Sequence, residues 1–309
     1  MIGYILAILS SLFFGIYIIP KKIVKLDTKH YLFYMSLGFV AISLIAYLIS
    51  LLTGNNNEPL YHPVLILVCL RGLSWFVASN LFLISIDKIG MSRSTQYKNL
   101  KGPLGVLLTL IFLSEFKVTN VSFVLLAALL TFFSALLFTI KKDNNKKVDK
   151  SGIIYACIAS LFLAVNALIQ KYVTNCGFIY TQQLYQSITI VISSFIYVLI
   201  KDKTIKNLQI ISFKNKMLSL LGGILYYFAT YFNTLSYKSL PASIAFTIIN
   251  MSGIWSVLIG ILIFKEIDFK KNYKRIILGM ILLIISIFAL LFGRSWKYIN
   301  IHFLTKKHC

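Results

Sequence analysis

"SRSTQYKNLKGPLGVLLTLIFLSEF" (92–116) and "SIAFTIINMSGIWSVLIGILIFKEI" (243–267) overlie one another when the chain is shifted by 151 residues. Ser92 then meets Ser243, Asn99 meets Asn250, Gly102 meets Gly253 and Glu115 meets Glu266. Two apolar helices match by chance at Leu and Phe, so the glycine, the asparagine and the acid carry the comparison. The same register lays Gly72, Ala78 and Ser85 on Gly223, Ala229 and Ser236. With a slip of two, Gly3, Ala7, Ser11 and Lys22 fall on Gly152, Ala156, Ser160 and Lys171. The chain is an internal duplication.

Composition says where it resides. The 309 residues are 58% hydrophobic and 13% charged, with a mean hydropathy of +0.82. A soluble domain holds roughly half apolar residues, whereas this chain repeats apolar stretches of about twenty, the length that crosses a ~30 Å hydrocarbon core. Ten are predicted, at 2–19, 31–53, 63–86, 92–114, 119–140, 152–170, 181–200, 216–236, 241–264 and 273–292. The first lacks a basic leader and is expected to stay as a span. A lipid-exposed backbone must satisfy its own hydrogen bonds, so helices are the expected form. Five spans per half is an odd number, which turns the second copy over in the membrane. The expected fold class is an all-α integral membrane protein of ten transmembrane helices, built as two inverted five-helix repeats. Its parts are 1–140, a basic linker at 141–150, 151–292, and a basic C-terminal tail at 293–309.

The formal charge of +22 does not point to nucleic acid. Twenty-one of the 31 Lys and Arg lie in the odd-numbered connections between spans, such as "KKDNNKKVDK" (141–150). Such placement follows the positive-inside rule and the attraction of anionic lipid headgroups. It puts the odd connections in the cytoplasm and both termini outside. Cys69, Cys157, Cys176 and Cys309 form no paired framework and read as core-filling residues and a tail thiol. With four scattered histidines they offer no metal site, and no cofactor is expected.

Each fourth helix ends on an acid and a short turn, "LIFLSEF" and "LIFKEI", and Pro103 sits within the first of them. On these features the chain resembles the drug/metabolite transporter superfamily, with an EamA-like layout of ten helices in two inverted repeats. "RGLSWFVASN" (71–80) and "IGMSRS" (89–94) are similar to the glucose/ribose porter branch, through Gly72 with Trp75 and through Ile89, Gly90, Ser92 and Arg93. The resemblance implies sugar uptake. The sequence departs from that branch at Lys98 and Lys101, and at Tyr226, which stands where the second half would repeat Trp75.

Candidate binding residues follow from helical spacing. Ser92, Gln96 and Asn99 share one helix face, and Ser243, Thr247 and Asn250 repeat it. Tyr226, Thr230 and Asn233 form a stripe on helix 8, and Asn166 with Gln170 a shorter one on helix 6. Sugar hydroxyls need paired donors and acceptors, which amides supply, and sugar ring faces suit aromatic platforms. The plainer reading is that these groups hold neighbouring helices together. Arg71 lies near mid-depth, where a charge costs on the order of 3 kcal/mol. It therefore requires a wet cavity, a partner or the carbonyls of a broken helix. Gly102, Pro103 and Gly253 are read as structural, and Glu115 and Glu266 as residues that orient the turns to helices 5 and 10. Pro103 cannot donate to the carbonyl of Asn99, so that oxygen is expected to be free. The lysines and the helix break are expected in the first half alone.

No acid lies inside a span, which disfavours exchange of cationic drugs for protons. There is no nucleotide-binding GxxxxGK[ST], and no HExxH or acid cluster for an integral-membrane enzyme. The expected function is a secondary transporter of a small polar metabolite, sugar first, in the cell membrane. One five-helix half is expected to rock against the other. An anionic metabolite, an amino acid or a drug is the alternative cargo. The partners are the solute and the bilayer, and no oligomeric state is specified.

Overall fold

In the computed structural model all long elements are helices. The structure describes residues 1–24, 26–54, 56–89, 94, 97–117, 119–138, 149–203, 206–255, 259 and 269–293. Among these, the helices of nine or more residues are α1 (Ile2–Ile16), α2 (Thr28–Leu52), α3 (Leu65–Ile89), α4 (Lys101–Phe112), α5 (Val121–Phe138), α6 (Lys150–Asn175), α7 (Tyr180–Asp202), α8 (Phe213–Ser239), α9 (Ala242–Asn250) and α10 (Phe269–Gly293). Six stretches are long and apolar enough to cross a membrane: Ile2–Ile23, Thr28–Leu52, Leu65–Ile86, Lys150–Asn175, Tyr180–Asp202 and Asn272–Ala289. Shorter apolar helices cover Lys101–Phe112, Val121–Ser134 and Ala242–Trp255. The 27-residue α8 is long enough, but its tyrosines, threonines and asparagine make it more polar.

The molecule is polar inside and greasy outside. On α7, Gln182, Gln183 and Gln186 are fully buried, while Ile192, Ile196 and Ile200 face outward. This inversion suits lipid, where polar groups must find partners within the protein.

Packing runs mainly between the halves rather than within them. Helix α3 lies along α6 as α8 lies along α1, α3 crosses α7 as α8 crosses α2, and α4 meets α6 as α9 meets α1. Successive contacts close a ring in the order α1, α8, α2, α7, α3, α6, α4, α9, with α5 and α10 paired outside it. A five-helix half therefore packs mainly against the other half and little within itself.

Small residues set the crossings. A Cβ at Gly223 on α8 would collide with the carbonyl of Met35, and one at Gly38 on α2 with that of Leu220, so backbones touch there. At the related crossing, a Cβ at Gly72 on α3 would stand 2.7 Å from the Cβ of Thr189 on α7.

Several helix ends are closed by side chains from elsewhere in the chain. Glu58 accepts from the amides of Ile179 (2.8 Å), Tyr180 (3.2 Å) and Thr181 (2.8 Å) at the start of α7. Glu115 accepts from Ala242 (2.6 Å) and Ser243 (2.9 Å) at the start of α9. That corrects its expected role in the turn to α5, where its backbone carbonyl already receives the Thr119 amide. The carboxylate is drawn instead to the positive end of α9. Lys171, expected in a connection, lies inside α6 and donates to the carbonyls of Tyr237 and Leu240 at the end of α8. At the surface, Asp149 caps α6 and bonds Lys88 at 3.1 Å. The Ser151 hydroxyl, the Lys88 ammonium and the Ser151 amide hold its carboxyl down at about 2. Cys69 and Cys157 are free.

The helix break is also revised. Tyr97 and Lys98 are helical, Asn99 and Leu100 form a turn, and α4 resumes at Lys101. The carbonyl of Asn99 is not free, because the Gly102 amide donates to it at 3.0 Å in a tighter turn. In the second half α9 ends at Asn250, Met251 is a turn, and helix resumes at Ser252. Both halves break at the shared asparagine, so Pro103 is not the sole cause.

Candidate functional site

Inside the ring lies a space of about 590 Å³, part of it open to the outside, walled by α1, α3, α6, α8, and the α4 and α9 segments. One wall is aromatic: the Trp75 and Tyr226 rings lie 4.8 Å apart, and Tyr17 stands 5.4 Å from Tyr226. Trp75 and Tyr226 are equivalent positions of the two halves and touch one another. Another wall carries Asn166, Gln170, Thr230 and Asn233. Lys98 and Lys101 complete it from the α4 side, and their repeat mates Ile249 and Ser252 line it too.

The amides are held by a buried network. Asn233 Nδ2 donates to Gln170 Oε1 at 2.9 Å. Gln170 Nε2 and Gln183 Nε2 each donate to Thr234 Oγ1 at 2.9 Å. Such bonds fix the rotamers of side chains that face the cavity.

Arg71 is completely buried and is not among the cavity's lining residues. Its Nη1 donates to Gln182 Oε1 at 3.1 Å, and its carbonyl accepts from Asn166 Nδ2 at 2.9 Å. It finds amide partners in place of a carboxylate, and stands behind Asn166. Its Nη2 has no hydrogen-bond partner among the described residues.

Asn99 and Asn250 line a smaller adjoining space of about 240 Å³, with Gly102, Pro103 and Thr247. They approach each other's glycines: a Cβ at Gly102 would stand 2.8 Å from Asn250 Nδ2, and one at Gly253 would stand 3.7 Å from Asn99 Nδ2. The amide of Asn250 is buried with neither atom partnered. A third space, about 430 Å³, shares Tyr17, Trp75 and Lys98 with the central one and extends to Lys21 and Tyr31.

Of the residues predicted from sequence, Trp75, Lys98, Lys101, Asn166, Tyr226 and Asn233 meet in the central cavity, and Asn99 and Asn250 in the smaller one. Gln96 and Glu266, like Ser92 and Arg93, lie outside the described residues. The sequence reading missed Phe14 and Tyr17, since an aromatic on an apolar helix does not announce which way it faces. It also missed Gln182, Gln183 and Gln186, although three glutamines within one span of "TQQLYQS" (181–187) were a usable signal.

An all-helical bundle with an apolar outside and an inner space lined by amides, aromatics and lysines from both halves fits a membrane transporter. The pattern of the sugar transport protein family matches residues 5–292, nearly the whole chain. The chain belongs to that family, which is one of transporters rather than enzymes. A solved crystal structure shares its fold with a TM-score of 0.73 at 11% identity, covering 93% of this chain and 95% of that one. No curated protein sequence matches it.

Proposed function

We propose that the protein moves a sugar across the cell membrane by alternating access, with the central cavity as its binding site. The observation that carries this reading is the joint wall of amides and aromatics that both halves supply to one cavity. Trp75 and Tyr226 offer faces to the sugar ring. Asn166, Gln170 and Asn233 offer donors and acceptors to its hydroxyls. Arg71 acts through Asn166 as a positioning residue, and the asparagine pair Asn99 and Asn250 sits where the two halves meet.

This reading includes ten membrane-crossing helices in two inverted repeats, 1–140 and 151–292, with the odd connections in the cytoplasm, and membership of the drug/metabolite transporter superfamily. The exchange of partners between halves, the Trp75–Tyr226 contact and the reciprocal Asn–Gly approaches support it, since a two-fold relation requires each. Because the halves interleave, movement is assigned to the α4 and α9 segments, pivoting at their breaks beside Asn99 and Asn250. Hinges of this kind absorb backbone change at a few positions.

The test is uptake by the protein reconstituted in liposomes, using labelled hexoses and pentoses with and without proton and sodium gradients. The expected result is saturable uptake that Trp75→Ala and Asn233→Ala each reduce at least tenfold without loss of folded protein. No uptake of any sugar under any gradient would overturn the function, and undiminished uptake by both variants would move the site elsewhere.

A further inference from the structure

The central cavity is electrostatically one-sided. Lys98 and Lys101 line it, and their repeat mates Ile249 and Ser252, which also line it, are uncharged. Among the described residues no Asp or Glu lines this cavity or the one that adjoins it, and none forms an ion pair with either lysine. The Lys98 ammonium lies 3.9 Å from the centre of the Phe82 ring. An aromatic face is a weaker companion than a carboxylate or bulk water. The two lysines also repel one another. A third ammonium, that of Lys21, lines the adjoining space together with Lys98, so positive charge continues from the end of α1 towards the centre.

Half-buried like charges without counter-ions are unfavourable unless a proton is lost or something brings the missing negative charge. A coupling cation would add to the repulsion. A solute with an anionic group would relieve it, and the cationic lining would raise its local concentration. The aromatic and amide walls at the same time need a ring and hydroxyls.

We infer that the transported sugar is an acidic one, whose carboxylate or phosphate sits between Lys98 and Lys101 while its ring lies against Trp75 and Tyr226. This rests on the reading of the central cavity as the sugar site. Neutral hexoses then bind as poorer substrates, because they leave both ammonium groups uncompensated. The asymmetry of α4 and α9 is the source of that choice.

The test compares initial uptake of glucose, glucuronate and glucose 6-phosphate into proteoliposomes, with inorganic phosphate and acetate as competitors. The expected result is that at least one of the two acidic sugars enters tenfold or more faster than glucose at equal low concentration. Lys98→Ile with Lys101→Ser, the residues of the second half, should shift the acidic-to-neutral ratio at least tenfold towards glucose. Lys98→Arg with Lys101→Arg should keep the preference. If the uncharged pair does not fold, Lys101→Gln alone should move the ratio in the same direction. Glucose entering faster than both acidic sugars would overturn the inference and leave sugar transport standing. A preference unchanged by loss of the lysines would overturn it too. So would inhibition by inorganic phosphate or acetate as strong as that by the acidic sugars, since the ring would then add nothing. Absence of uptake of all three sugars would overturn the inference and, if other sugars also fail, the transport reading with it.

Discussion

Helices α4 and α9 occupy equivalent places in the two halves, yet they face the same cavity with different chemistry. Both break at an asparagine and both resume two residues later. Each asparagine leans on the other helix's glycine. Beyond that shared frame, α4 brings two lysines and a proline where α9 brings Ile249, Ser252 and Ile254. Arg71 on α3 extends the contrast, for its repeat mate on α8 is Gly222, where a Cβ would stand 2.6 Å from the Tyr31 hydroxyl. The helix breaks correspond, while the two lysines that line the cavity lie in the first half.

The sharpest way to break this comparison is at the glycine crossings. Gly223→Ala should cost about 3 kcal/mol, the upper end for overpacking, because the new methyl would meet backbone at Met35 and Phe39. Gly72→Ala should cost less, since its nearest neighbour, the Thr189 Cβ, stands at 2.7 Å and the nearest carbonyl, that of Gln186, at 3.1 Å, against 1.9 Å for the Met35 carbonyl at Gly223. Thermal unfolding in detergent, followed by size exclusion, measures both. Equal losses would mean that the two crossings do not differ as described.

Arg71→Ala should cost about 2 kcal/mol, because it strips buried Asn166 and Gln182 of a charged donor. Arg71→Lys should recover part of the stability but less of the uptake, since a lysine lacks the fork that reaches both amides. A lysine variant with full uptake would remove Arg71 from the positioning of Asn166.

Glu115→Gln should lower stability by about 1 kcal/mol through loss of a charged cap on α9. Applied to its mate, Glu266→Gln gives the same loss if the duplication extends to the start of the fourth helix, and no loss if it does not. The smallest effect is expected for Asp149→Asn. The folded carboxyl titrates at about 2, below the ordinary value of ~3.9 for Asp. Its contribution is thus complete above about pH 4 and disappears as the pH falls through about 2. The melting difference between Asp149→Asn and the unmodified chain should be slight at neutral pH and close across that window. A difference that persists at the acid end would mean the carboxylate is not its source.

How much of this could be read from the chain follows from what a duplication encodes. An offset of 151 tells which residues are equivalent, so Gly72 with Gly223 and Asn99 with Asn250 were legible. It does not tell which equivalents touch. That Gly223 rests on Gly38, that Trp75 meets Tyr226, or that α1 runs along α8 needed three dimensions. Lys98 and Lys101 could be chosen as site residues because charge inside a greasy run is costly wherever it points. Phe14 and Tyr17 could not, because an aromatic is equally at home against lipid or in a cavity. Glu115 was recognised as structural, but the partner of its carboxylate was not named. Its carboxylate reaches 127 residues ahead to the amide of Ala242, and local spacing carries no trace of so distant a bond.

The interleaved ring has a consequence for biosynthesis. As the first five helices leave the ribosome, the surfaces they will finally bury have no mates, for α1 must wait for α8, α2 for α7 and α3 for α6. Arg71 enters the membrane before Asn166 and Gln182 have been made. The nascent first half is therefore an assembly of separate hairpins with unsatisfied polar faces, and its lifetime in the bilayer depends on how soon the second half arrives.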